Sequence, residues 1–194
     1  TCGRAAGAVR RPVLAVIDYS LPSTEQRLWL IDPATRRVLR SELVAHGSGS
    51  GELHATRFSN EPGSHRSSLG LFVTGETYEG RHGRSLRLHG LEPGVNDAAY
   101  ARAVVMHGAW YATARHAARY GRLGRSHGCP ALAPDVWPDV LASLATGAAL
   151  FVYGDDADWL ASEPYAQCGV ASEQARASSG GIPSSRMRSQ LSRP

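Results

Sequence analysis

The chain has 194 residues, 42% hydrophobic and 20% charged, with a net charge of +4 at neutral pH. That balance excludes a fibrous or wholly disordered protein and fits one domain with a sizeable core. All 21 basic residues are arginine, scattered rather than clustered, and residues 170–194 hold four of them against one glutamate; this local +3 leaves only +1 elsewhere and argues against a nucleic-acid surface.

Short apolar or alternating runs bounded by turn residues recur along the chain. They predict strands over residues 13–19, 27–32, 38–46, 69–75, 85–90, 103–108 and 149–154. Between Gly47 and Leu69 the sequence is rich in Gly and Ser without periodicity, which predicts a long loop of the kind that is usually functional or disordered. Helical signals are fewer. A helix or turn is expected over 111–120, a helix over 135–146 with Asp135 as its cap and Pro138 in its first turn, and one more short turn over 155–161. The expected class is therefore mainly β with one or two short helices.

The expected domains are an N-terminal extension over 1–12, a globular domain over 13–168 and a disordered basic tail over 169–194, where large apolar side chains almost vanish. No apolar run approaches the roughly 18 residues of a membrane span. The start at Thr1 without a charged leader is expected to reflect a removed signal segment or a trimmed chain. Three cysteines are an odd count; Cys2 and Cys168 either pair in an oxidising compartment or remain two free thiols.

The chemistry concentrates in two places. The apolar run 103–106 ends at His107, where Gly108 breaks the strand and leaves an imidazole at its terminus. Twenty-two residues on, Cys129 follows Ser126-His127-Gly128 in a glycine-containing turn. A thiol needs a base to become a nucleophilic thiolate, and histidine has a suitable pKa. His107 is the favoured base; His127 reaches Cys129 only if the turn folds sharply. The N–H groups of Gly128 and Cys129, left free by a turn, are candidate oxyanion donors.

His107-Gly108 followed by Ser126-His127-Gly128-Cys129 resembles the signature of the murein L,D-transpeptidase catalytic domains, the cysteine transpeptidases also called YkuD-like. The runs IDYSLPSTEQRLWLID, FSNEPGSHRSSLGLFVTGETYEG, HGRSLRLHGLEPGVND and GRLGRSHGCPAL carry the likeness from residue 13 to 154. Two departures stand out: eighteen residues separate His107 from Ser126, a slightly long spacer, and Pro130-Ala131 follows the cysteine where Arg or Asn is usual.

The resemblance implies a β-sandwich-like domain in a periplasmic or other extracytoplasmic location. It implies that Cys129 attacks a peptidoglycan tetrapeptide stem, releases D-alanine and passes the acyl group to an amine of a second stem, giving a 3-3 cross-link. His107 then acts as base and acid, with the Gly108 carbonyl holding its tautomer. Ser126, Arg125, Arg87, Tyr78, Ser68 and its neighbour Ser67 are the candidate substrate contacts. In residues 85–89 the alternation puts Leu86 and Leu88 on one face and Arg87 on the other. No cofactor, metal, nucleic acid or membrane span is expected, and the chain is expected to act as a monomer. The competing readings are an L,D-carboxypeptidase that hydrolyses the same thioester, an inactive wall-binding domain, and a metal site built from His107, His127 and Cys129.

Overall fold

The computed structural model describes residues 9–162. Alternation sets the first strands: β1 (Leu14–Asp18) turns Ala15 and Ile17 inward, and β2 (Leu28–Asp32) does the same with Leu28 and Leu30. β3 (Arg37–Glu42) stops short of the expected 46 and leaves Val38 and Leu39 exposed, because it is the outer strand of the order and the chain beyond it pairs elsewhere. β4 (Gly70–Gly80) and β5 (Gly83–Gly90) make a long antiparallel hairpin. β4 outruns its expected end because the register shifts between Thr74 and Thr77, so Gly75 lies at a bulge instead of a stop.

β6 (Val105–Gly108) pairs with β5 and, in parallel, with the two-residue β7 (Ala131–Leu132). β8 (Ala149–Tyr153) lies between β1 and β4, parallel to the former and antiparallel to the latter. The strand order is β3-β2-β1-β8-β4-β5-β6-β7. Its two ends meet, since the chain leaving β3 bridges Ala45 to Ala131 and Gly47 to Ser126. All seven expected strands are found, and the mainly β class holds.

Three helices form where one or two were expected. After a 3-10 turn (Trp110–Ala112), α1 (Ala114–Tyr120) is capped by Thr113 Oγ1, which accepts the His116 N–H at 3.2 Å, and is closed by Gly121 at φ 71°. α2 (Trp137–Leu144) buries Trp137, Val140, Leu141 and Leu144, a helical stripe against the sheet. Asp135 does not cap it; the position before the helix belongs to Val136, whose side chain cannot accept. α3 (Ala157–Ser162) docks through Trp159, whose Nε1–H donates to buried Glu92 at 3.2 Å.

The main core joins β1, β2, β4, β5, β8 and α2 around Tyr19, Phe72 and Leu150. A second cluster of small side chains, Ala45, Ala109, Ala112, Ala117 and Ala131 with Leu123, lets the 3-10 turn and α1 approach β7 closely. The loop 43–69 holds no helix or strand, as expected from Gly47 onward though not over 43–46, and it is pinned by polar groups. Fully buried Arg27 donates to the carbonyls of Val44 and Leu21 and, at 2.8 Å, to His46 Nδ1. Cys2, Cys168, their pairing and the tail over 169–194 lie outside the described residues, as does most of the extension over 1–12.

Candidate active site

The parallel register of β6 and β7 sets His107 opposite Ala131, so the turn before β7 runs beside β6. The Val105 N–H donates to Cys129 Sγ at 3.4 Å, the thiol donates to the Ala103 carbonyl at 3.8 Å, and the His107 N–H donates to the Pro130 carbonyl at 3.4 Å. Ala103 adopts φ 54°, a strained conformation for a residue with a Cβ, and its carbonyl is the one that meets the thiol. Cys129 is a free thiol and partly exposed, while His107 is almost wholly buried. Among the described residues no hydrogen bond joins His107 to Cys129; the backbone of β6 is what links them.

His107 Nδ1 lies 3.0 Å from the Gly108 carbonyl. A carbonyl can only accept, so Nδ1 carries the proton and Nε2 keeps its lone pair. Burial holds the His107 imidazole below its ordinary pKa, opposed by the Gly108 bond and reinforced by His82 and Arg81. Burial also pushes the Cys129 thiol up, against the Val105 N–H and the charges of Arg102 and Arg81. Both groups are therefore neutral at rest. The His82 ring stacks on His107 at 4.3 Å between centroids, and Arg81 Nε–H donates to His82 Nε2 at 3.0 Å, so the tip of the β4–β5 hairpin covers the imidazole.

The cysteine turn is braced from within. Ser126 Oγ donates to the Cys129 carbonyl at 2.6 Å and accepts the Gly128 N–H at 3.1 Å. One expectation changes here. The Ser126 hydroxyl braces the turn, and the Gly128 N–H, expected to be free, is taken by that serine. The Cys129 N–H has no acceptor among the described residues. Gly128 sits at φ 117° with Arg66 O 2.8 Å from where a Cβ would stand, so only glycine fits the turn against the long loop.

The other candidates divide. His127 is exposed and stacks flat on His65, with centroids 4.0 Å apart. Ser68 donates to the Ser59 carbonyl and accepts from Arg102, and Ser67 donates to the Gly128 carbonyl at 3.1 Å; both are buried and stitch the loop. Arg125 pairs with Glu52 at 2.6 Å. Arg87 stands over the rings of Tyr78 and Tyr100 at 4.3 and 5.0 Å and 3.6 Å from Glu76, so Arg87 and Tyr78 hold each other on the opposite face of β5 from Leu86 and Leu88. Among the described residues no three His, Cys, Asp or Glu side chains are placed to hold a metal ion, which leaves the His107-His127-Cys129 metal reading without support.

Sequence reasoning missed Arg102, Arg81, His82 and Tyr111. Arg102 reaches Ser59 O, Ser68 Oγ, Ser64 Oγ and Arg66 O at 2.6–3.3 Å, tying the long loop beside the thiol. Tyr111 is pushed up to about 12, mainly by burial and then by the Cys129 charge. None of these four has a motif; each is placed by the fold.

The site is thus a strand-terminal histidine, held by its neighbour's carbonyl, beside a braced Ser-His-Gly-Cys turn. Residues 2–153 match the model of the L,D-transpeptidase catalytic domain, and the chain belongs to that family. No protein among those with curated functions matches the chain. Solved structures with a similar fold include an L,D-transpeptidase from Mycobacterium smegmatis, at 17% identity and TM-score 0.43 over 73% of this chain and 58% of that one. Another is L,D-transpeptidase 1 of Mycobacterium tuberculosis, at 14% identity and TM-score 0.41 over 74% and 62%. A third, residues 123–326 of the enzyme from Xylanimonas cellulosilytica, aligns at 16% identity and TM-score 0.41 over 78% and 68%. The chain thus spans about three fifths of the length of the two mycobacterial proteins.

Proposed function

We propose that the protein is an extracytoplasmic peptidoglycan L,D-transpeptidase that forms a thioester on Cys129 from a tetrapeptide stem and transfers it to an amine of a second stem. The observation that carries this reading is the Nδ1–H of His107 bound to the Gly108 carbonyl, which reserves Nε2 as a base on the strand flanking the cysteine turn.

With both groups neutral at rest, the proton stays on sulfur until substrate arrives. Nε2 of His107 takes the Sγ–H proton as Sγ attacks the carbonyl carbon that precedes D-alanine. The Cys129 N–H is the donor for the developing oxyanion, an interaction worth about a hundredfold to a thousandfold in rate. The C–N bond to D-alanine breaks, the leaving amine takes the proton from His107, and the thioester remains. An amine of the second stem then attacks the thioester carbonyl; His107 accepts the amine proton and returns it to sulfur.

Intact-mass analysis after incubation with disaccharide-tetrapeptide fragments tests this reading. The wild type gains the donor less D-alanine, Cys129→Ala gains nothing, and cross-linked dimers accumulate. An adduct on both proteins overturns the nucleophile assignment. Tripeptide monomers without dimers assign hydrolysis instead of transfer.

A further inference from the structure

One surface has no task in the chemistry above. It is built by the 3-10 turn, α1 and the chain from Arg122 to Arg125. Trp110 is 73% exposed and Tyr120 56%, large rings that folded chains usually cover. They belong to a series: Trp110 meets His116 edge-on at 5.5 Å, and His116 meets Tyr120 at 4.5 Å. These rings line an open groove of about 440 Å³ together with Tyr111, Arg122 and Arg125.

The stretch of chain that builds the groove is basic. Residues 98–134 contain five arginines and no aspartate or glutamate. Arg122 and Arg125 share Glu52 from the long loop, at 2.9 and 2.6 Å. Arg115 and Arg119 of α1 have no carboxylate partner among the described residues. The groove lies next to the cysteine turn in the chain: Arg125 directly precedes Ser126, and Tyr111 packs against Gly124 in the groove.

Aromatic faces in series bind flat, weakly polar rings at low entropy cost, because each side chain has only two torsions to fix. Guanidinium groups beside them take carboxylates bidentately. Sugar rings linked to a carboxylate-bearing peptide satisfy both demands, whereas a purely charged polymer leaves the aromatic series unused.

We propose that the groove between Trp110 and Tyr120 is a glycan-strand subsite that holds the amino-sugar backbone of peptidoglycan while the attached stem peptide reaches Cys129. The identity of the polymer rests on the function proposed above. Binding itself does not require the thiol.

The test titrates the full chain with glycan strands stripped of their stem peptides and follows tryptophan fluorescence and calorimetry. Saturable binding is expected, weakened at least about tenfold in Trp110→Ala and in Tyr120→Ala. Trp110→Phe, which keeps a ring face, recovers part of the loss, and an unchanged melting temperature shows that the variants fold. No binding by the wild type, or equal binding by wild type and both alanine variants, overturns the subsite. So does a polyphosphate probe that competes as well as the strands and ignores the Trp110 substitution. Cys129→Ala binds the strands as the wild type does, so failure of acylation and failure of glycan binding are read separately.

Discussion

Cys129 and His107 are shifted so that neither carries charge near neutrality: burial raises the thiol and lowers the imidazole. A preformed thiolate-imidazolium pair requires the opposite shifts. Alkylation of Cys129 by iodoacetamide is therefore expected to stay slow through neutral pH and to rise only above the range of an ordinary cysteine; a plateau of fast labelling below pH 7 contradicts the neutral pair. The base then matters in the transition state and not in the resting enzyme. His107→Asn is expected to slow acylation by about a hundredfold to ten-thousandfold, read as adduct formation by mass, while alkylation at high pH persists because hydroxide has replaced the base. These two residues were legible because residue type, a strand terminus and a glycine-flanked turn coincide. Arg102 was not, since its partners Ser59, Ser64, Arg66 and Ser68 lie 34 to 43 positions upstream and only the folded loop brings them to it. The free Gly128 donor was misread for a similar reason: turn patterns do not reveal that Ser126 turns its hydroxyl back into its own turn.

Among the elements, short apolar or alternating runs bounded by turn residues could be read directly as strands, as β1, β2 and β8 show. β7 could not, because two residues carry no period; its place is fixed by pairing with β6 and by the Ala45 bridge. Gly75 looked like the end of β4 and is a bulge within it, a distinction decided by the partner strand. The long loop 43–69 behaves as an element in its own right, held by the Arg102 guanidinium fork against the turn before β6. Arg102→Lys keeps the charge but loses the planar, multiply donating geometry. Hydrogen bonds from a charged donor are worth about 1.5–3 kcal/mol each and are not additive. The expected result is a loss of about 2–4 kcal/mol in denaturant unfolding, with faster amide exchange confined to residues 59–68 and 128–129. Uniformly faster exchange would mean that Arg102 supports the whole core and not this strap.

For the whole molecule, closure of the strand order depends on the chain leaving β3, and that chain is anchored on a buried cation without a carboxylate bonded to it. Arg27 donates instead to carbonyls and to His46 Nδ1, which must therefore stay unprotonated, while His46 Nε2–H donates to the Gly51 carbonyl at 3.3 Å. Burial first, and the Arg27 charge second, lower His46 from 6.5 to about 4. The sign follows from proton counting. Between these two values the unfolded chain binds a proton that the folded chain refuses, so stability is full above pH 6.5 and falls as the pH drops towards 4. The shift corresponds to up to about 3 kcal/mol. Denaturant midpoints at pH 7 and pH 4.5 should differ accordingly for the wild type. His46→Gln keeps an acceptor for Arg27 and a donor for Gly51 but cannot titrate, so it should lose most of that difference even if it is less stable at pH 7. Equal acid sensitivity in the two proteins would shift the cause to other groups, His107 first among them, because its imidazole is lowered in the same direction.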